Sequence, residues 1–113
     1  MYQYLLKLKI CNKKPFFGPG SVMLLKAIEQ TGSLNQACEN MNLSYSKGRK
    51  MLKDILEETG LPAIEFKHGG LGGGQAKITQ HGKELLETYQ AFLSDVDNSI
   101  SSLFDKYYGE KND

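Results

Sequence analysis

The stretch "GSLNQACENMNLSYSKGRKMLKDIL", Gly32 to Leu56, decides the fold. It holds two helix-sized patterns separated by a short break. Ser33 is placed to cap the first, whose apolar residues Leu34, Ala37, Cys38 and Met41 recur at helical spacing. Asn42 suits a turn, because asparagine tolerates left-handed backbone, and Leu43 plugs the corner behind it. Ser44 then caps the second helix, with Met51, Leu52, Ile55 and Leu56 facing inward. Its other face collects Lys47, Arg49, Lys50 and Lys53 behind Ser44, Tyr45 and Ser46. Two helices joined by a tight turn, the second polar and cationic outside, make the pattern of a helix-turn-helix.

The flanking segments extend this reading. At the start, "YQYLLKLKI" alternates apolar Tyr2, Tyr4, Leu6, Leu8 and Ile10 with polar residues, broken only at Leu5, which is the period of a half-buried strand. "NKKPFFGPG" reads as a loop. A helix is expected from Gly20 or Ser21, capped by Ser21, with Val22, Leu24, Leu25 and Ile28 as its apolar stripe and "QTGS" ending it. After the cationic helix, Thr59-Gly60 is a stop. "PAIEFKH" reads as a strand with Ile64 and Phe66 on one face, "AKIT" as its partner, and the glycine run Gly69 to Gly74 as the tip of the hairpin they form. Thr79 caps a long last helix in which Leu85, Tyr89, Phe92, Val96, Ile100, Leu103 and Tyr107 follow a spacing close to a heptad seam. The fold class expected is therefore α+β and mostly α: a winged helix-turn-helix with an N-terminal strand, a β-hairpin wing and a long C-terminal helix. Residues 1–78 form the body, 79–108 the dimerisation helix and 109–113 a disordered tail.

The 113 residues suit one domain with a modest core. No run reaches the roughly 18 apolar residues of a membrane span, and the start lacks the pattern of a secretory signal, so a cytoplasmic protein is expected. Cys11 and Cys38 are read as two buried thiols rather than a disulfide. They form no ligand pair with His68 or His81, so no metal and no cofactor is expected. No local catalytic constellation is visible, and the glycine run lacks the Lys-Ser/Thr ending of a phosphate loop; the chain is not read as an enzyme. Net charge is only +1, but its distribution is uneven. Residues 1–78 hold eleven Lys/Arg against six Asp/Glu, and residues 79–113 hold three against seven. A basic body suits an anionic partner, and the acidic C-terminal segment suits a different task.

That partner is expected to be double-stranded DNA. Arg49 is the candidate base reader, since a guanidinium pairs with guanine edges. Lys47, Lys50 and Lys53 are candidates for phosphates, together with Ser33, Ser44, Ser46 and Tyr45, whose ring could equally pack beside Leu43. Lys67, His68, Gln75 and Lys77 flank the wing tip and would follow the DNA backbone. The apolar seam from Leu85 to Tyr107 would join two subunits. Each feature also has a plainer reading: a solvated helix face, a mobile hairpin loop, a helix folded back on its own body. A protein-interaction module that recruits a partner or a separate sensor chain through the long helix is the alternative function.

Certain residues resemble a known family. Gly32-Ser33-Leu34-Asn35-Gln36-Ala37, then Ser44-Tyr45, then Gly69 to Thr79 and Gly82 are similar to the N-terminal DNA-binding domain of ModE, the molybdate-responsive repressors, and more distantly to the winged helix of LysR-type regulators. The likeness runs over about residues 19–95. Its most specific part is the glycine-rich wing followed by Thr79, Gly82 and Leu85. The resemblance implies a dimer, formed through the long helix, on a partly palindromic site. Two departures stand out. Gly48-Arg49 occupies the place where the family tends to have Ala-Trp, which is expected to loosen the helix and move base readout to Arg49. Leu71 stands at the wing tip where Lys is common, so that phosphate contact is not carried over. The chain ends soon after the long helix, so no oxyanion-binding domain and no molybdate sensing are expected.

Overall fold

The computed structural model describes residues 1–67 and 75–110. His68, the glycine run Gly69–Gly74 and residues 111–113 lie outside the described residues. Eight elements follow in order: β1 (Ile10–Cys11), β2 (Pro15–Phe17), α1 (Pro19–Thr31), α2 (Leu34–Asn40), α3 (Tyr45–Thr59), β3 (Ile64–Lys67), β4 (Gln75–Ile78) and α4 (Gln80–Tyr108). The two antiparallel hairpins, β1–β2 and β3–β4, are separate two-stranded sheets. Leu24, Leu25 and Ile28 of α1 are fully buried against Cys38 and Ile55, and Leu86 and Tyr89 of α4 close the same core. No described helix is long and apolar enough to cross a membrane.

Helix ends fall where local chemistry sets them. Ser33 accepts a hydrogen bond from the Gln36 amide at 3.1 Å, and Ser44 one from Lys47 at 3.2 Å. Each such cap stabilises its helix by about 1 kcal/mol. Asn42 has φ of 56°, the left-handed turn that its side chain tolerates and a β-branched residue would not. The first helix departs from expectation. Its cap is Gly18, and Ser21 sits three residues inside, where its hydroxyl accepts from the Gly18 amide at 3.0 Å. Pro19 starts the helix one residue earlier than Gly20, because proline lacks the N–H that the first turn cannot use.

The N-terminal strand is present but short. Only Ile10 and Cys11 pair with β2, and β2 itself arises within the segment read as loop, where Phe17 enters the core. Residues 1–9 are extended without a ladder. The alternation is nonetheless real. Tyr4, Leu6 and Leu8 are half-buried while Leu5 is exposed, because the segment lies along α4 instead of beside a strand. Tyr4 packs on Phe104 with ring centroids 4.9 Å apart and donates its hydroxyl to Asp97 at 2.7 Å; Tyr89 donates to the Leu8 carbonyl at 2.8 Å. Period two reports half burial, whatever covers the buried side. Cys11 is exposed, not buried, since it lies at the outer end of the β1–β2 hairpin; Cys38 is buried, and both are free thiols.

Two glycines fix how the helices meet. Gly48 is buried in α3, where a Cβ would stand 2.5 Å from Cys38 Sγ and 3.4 Å from Leu34 Cδ1. The expectation of a loosened helix is therefore corrected: this glycine is the close-approach point that seats α3 on α2. Gly82 permits a second approach. A Cβ there would meet the Ala63 carbonyl oxygen at 2.4 Å. The same carbonyl accepts from the Thr79 amide, and the Thr79 hydroxyl donates to Pro62 O while accepting from the Gly82 amide. Thr79 and Gly82 thus lock the start of β3 to the start of α4.

The two glycines should respond differently to alanine. Gly48→Ala gains up to about 1 kcal/mol of helix propensity but overpacks the crossing, so a net loss of about 1–2 kcal/mol in urea unfolding is expected. Cys38→Ala in the same chain should return most of that loss, because it removes the atom in the way. Gly82→Ala meets backbone, and no side-chain deletion should rescue it. Simple additivity of Gly48→Ala and Cys38→Ala would contradict the crossing described.

Candidate nucleic-acid interface

The cationic face of α3 is held from behind by the β1–β2 hairpin. Glu58 Oε1 accepts from the backbone amides of Lys13 and Lys14 at 2.7 and 3.1 Å, and Asn12 donates to the Glu58 carbonyl. Lys14 bridges Asp54 at 3.0 Å and Glu57 at 2.8 Å. Hydrogen bonds donated to Glu57 and then to Asp54 raise the Lys14 ammonium above the ordinary lysine range. Lys14 in turn holds the Glu57 carboxyl below its ordinary value. For Asp54, partial burial pushes the pKa up, but hydrogen bonds from Lys14 and Lys50 outweigh it and the net direction is down. The carboxylates thus stay charged and the helix stays docked.

Lys50 pairs with Asp54 at 3.0 Å and Lys53 with Glu57 at 3.7 Å, both one turn along the helix. Exposed pairs of this kind contribute less than about 1 kcal/mol, so either ammonium can swing to a phosphate at small cost. Arg49 is held differently. Its guanidinium lies 5.9 Å from the Tyr45 ring centroid and 5.6 Å from that of Phe66, and Nη1 donates to the Tyr45 hydroxyl at 3.4 Å. Two aromatic rings hold this planar cation without neutralising it. Tyr45 thus stands beside Arg49 and is exposed, which settles its position in favour of the outer face over the Leu43 corner.

The four cations do not make one patch. Ser46, Arg49, Lys50 and Lys53 border the side of α3 that faces β3. Lys47 lies about 160° around the helix from Arg49, where it shares a cleft with Lys9, Phe16 and Met51. No local sequence pattern joins Lys9 to Lys47; only the fold brings them together. Leu56, read as inward-facing, is 44% exposed, because it rotates toward β3 and away from α1.

In the second hairpin Lys67 pairs with Gln75 and Glu65 with Lys77. The Ala76 amide donates to the Gly32 carbonyl at 2.8 Å, which ties this hairpin to the turn before α2. Lys67, Gln75 and Lys77 consequently line one cleft with Thr31 and Gly32, next to Ser33. Ser33 and Ser44 each use a lone pair on their caps and keep an O–H to donate. His68 lies outside the described residues.

The stripe on α4 divides in two. Tyr89 is a correction: it is buried in its own chain, edge-on to Phe17 with centroids 5.3 Å apart, because its hydroxyl finds the Leu8 carbonyl there. Ile100 is half-buried, as are Leu93 and Phe104 on the side covered by residues 1–9. Next to this covered strip, Phe92 at 47%, Leu103 at 56% and Tyr107 at 70% stay exposed, with Leu85 and Val96 half-buried at its edge.

A tri-helical core, two helices meeting at a turn on Asn42, and a hairpin beside the second helix define a winged helix-turn-helix protein. No protein-family model matches the chain. Known relatives do. The transcriptional regulator ModE of Haemophilus influenzae is 32% identical over 91 residues, 80% of this chain and 36% of the regulator. ModE of Yersinia pestis is 29% identical over 91% of this chain, and the DNA-binding transcriptional dual regulator ModE of Escherichia coli 31% over 77%. The chain is thus homologous to ModE-type transcriptional regulators, and it spans about a third of the length of the curated relatives it matches. The family-like Thr79, Gly82 and Leu85 prove to be a packing junction more than a contact surface, with Leu86 the fully seated leucine and Leu85 at its margin.

Proposed function

We propose that this protein binds double-stranded DNA with sequence preference, as a homodimer, and regulates transcription in the cytoplasm. The observation that carries the reading is the docked α3, which turns Tyr45, Ser46, Arg49, Lys50 and Lys53 outward above a buried Gly48–Ile55 face. The start of such a helix is the part that enters a major groove, and Arg49 lies near it with its guanidinium against the Tyr45 and Phe66 rings. Lys50, Lys53 and Lys47 would take phosphates. Lys67, Gln75 and Lys77 would add contacts to the backbone beside the groove. The similarity to transcriptional regulators supports the assignment. The two subunits would meet along Phe92, Val96, Leu103 and Tyr107, the apolar strip left open on α4.

Selection of bound duplexes from a random pool tests the DNA reading. Arg49→Ala should cost about 1–3 kcal/mol on the selected site and relax one base position. Lys50→Ala should weaken selected and random duplexes alike and lower the salt slope by about 1. Unchanged binding in both folded variants would make the cations a solvated face and favour the interaction-module alternative.

Phe92→Glu combined with Leu103→Glu tests the subunit interface. Both side chains are exposed in the single chain, so its fold should survive by circular dichroism. Light scattering should report a dimer for the parent and a monomer for the variant. An unchanged dimer would place the interface elsewhere.

A further inference from the structure

An open groove of about 690 Å³ runs between α3 and the segment Pro62–Phe66. Its size falls within the roughly 300–1,000 Å³ of small-molecule sites. Leu52, Leu56, Ile64 and Phe66 give it an apolar floor, and Arg49, Lys50 and Lys53 stand on the rim. This composition is odd for a surface devoted to nucleic acid. Phosphates and sugars gain nothing from a leucine that is 44% exposed beside a half-buried phenylalanine. The rim is not uniform either. Lys50 and Lys53 each have a carboxylate partner, whereas Arg49 enters none of the ion pairs among the described residues. One of its five N–H donors serves the Tyr45 hydroxyl. The remaining donors and the planar fork suit a carboxylate, which a guanidinium binds through two parallel hydrogen bonds.

We propose that this groove binds a small organic carboxylate with a ring-sized apolar body. The body lies on Leu52, Leu56, Ile64 and Phe66, and the carboxylate pairs with Arg49. A consequence follows for DNA, and it rests on the function proposed above. Arg49 serves both ligands, so a bound carboxylate withdraws the base reader and the two occupancies oppose each other. Linkage makes the opposition reciprocal: duplex weakens the carboxylate by the factor that the carboxylate weakens duplex. The effector site would thus sit on the reading helix itself.

The test uses 1-naphthoate, with 1-naphthamide as its neutral counterpart, titrated into the full ¹⁵N-labelled chain without DNA. Saturable amide shifts are expected at Leu52, Leu56, Ile64 and Phe66, with 1-naphthamide at least about tenfold weaker. Arg49→Gln should bring the two affinities together, and Leu56→Glu should abolish saturation while the circular dichroism spectrum is retained. The absence of saturable shifts, shifts at another surface, or equal affinity for acid and amide would overturn the site, whether or not the chain binds DNA. A second arm measures duplex affinity with and without 1-naphthoate. Weakening in the parent that is absent in Leu56→Glu supports the coupling. Naphthoate binding that leaves duplex affinity unchanged overturns the coupling alone.

Discussion

The structure depends on the place where α3 crosses α2. Gly48 sits against Cys38 Sγ with Leu34 and Leu43 around it, and no larger residue fits without moving one of them. This contact sets the distance between the helices and hence which residues of α3 turn outward. With Gly48 and Ile55 inward, Ser46, Lys50 and Lys53 lie on the opposite side, while Arg49 stands about 100° and Tyr45 about 60° around the helix from Gly48. The second clamp acts at the far end of the helix, where Glu58 takes two amides of the β1–β2 turn and Lys14 holds Asp54 and Glu57. One end is fixed by shape and the other by charge. The cations in between are presented by a rigid element whose own ion pairs are weak.

The helices were legible because their signals are local. Ser33, Asn42, Ser44 and Thr79 each act within a few residues of their own position, and each stands where the pattern placed it. Period two at the N-terminus was equally legible as half burial. It could not say what does the burying, because a strand edge and a long helix impose the same alternation on an extended chain. Leu56 and Tyr89 were misplaced for a related reason. Helical spacing identifies an apolar strip, but which part of the strip its own chain covers depends on β3 and on residues 1–9, both distant in sequence.

The site shows the same limit. The cationic cluster is visible as a run of residues, yet its division into an Arg49 side and a Lys47 side appears only once β3 and the first hairpin are packed on either flank. Phe66 as a platform for Arg49, and the apolar groove below it, arise from a segment that composition marks only as a strand. Gly48 had a wrong sequence-level explanation because propensity weighs a glycine by what it costs the helix, not by what it admits beside it. Structure and proposed function converge on this one helix, which carries the candidate base reader and the rim of the groove together.

The central claim, that the outer face of α3 meets DNA and the open strip of α4 meets a second chain, is tested most directly by site-specific photo-crosslinking. Benzoylphenylalanine placed at the position of Ser46 should capture duplex DNA, with a yield that falls steeply as salt rises. The same group at the position of Phe92 should capture another copy of the chain and no DNA. Capture of DNA from the Phe92 position with silence at Ser46 would contradict the account.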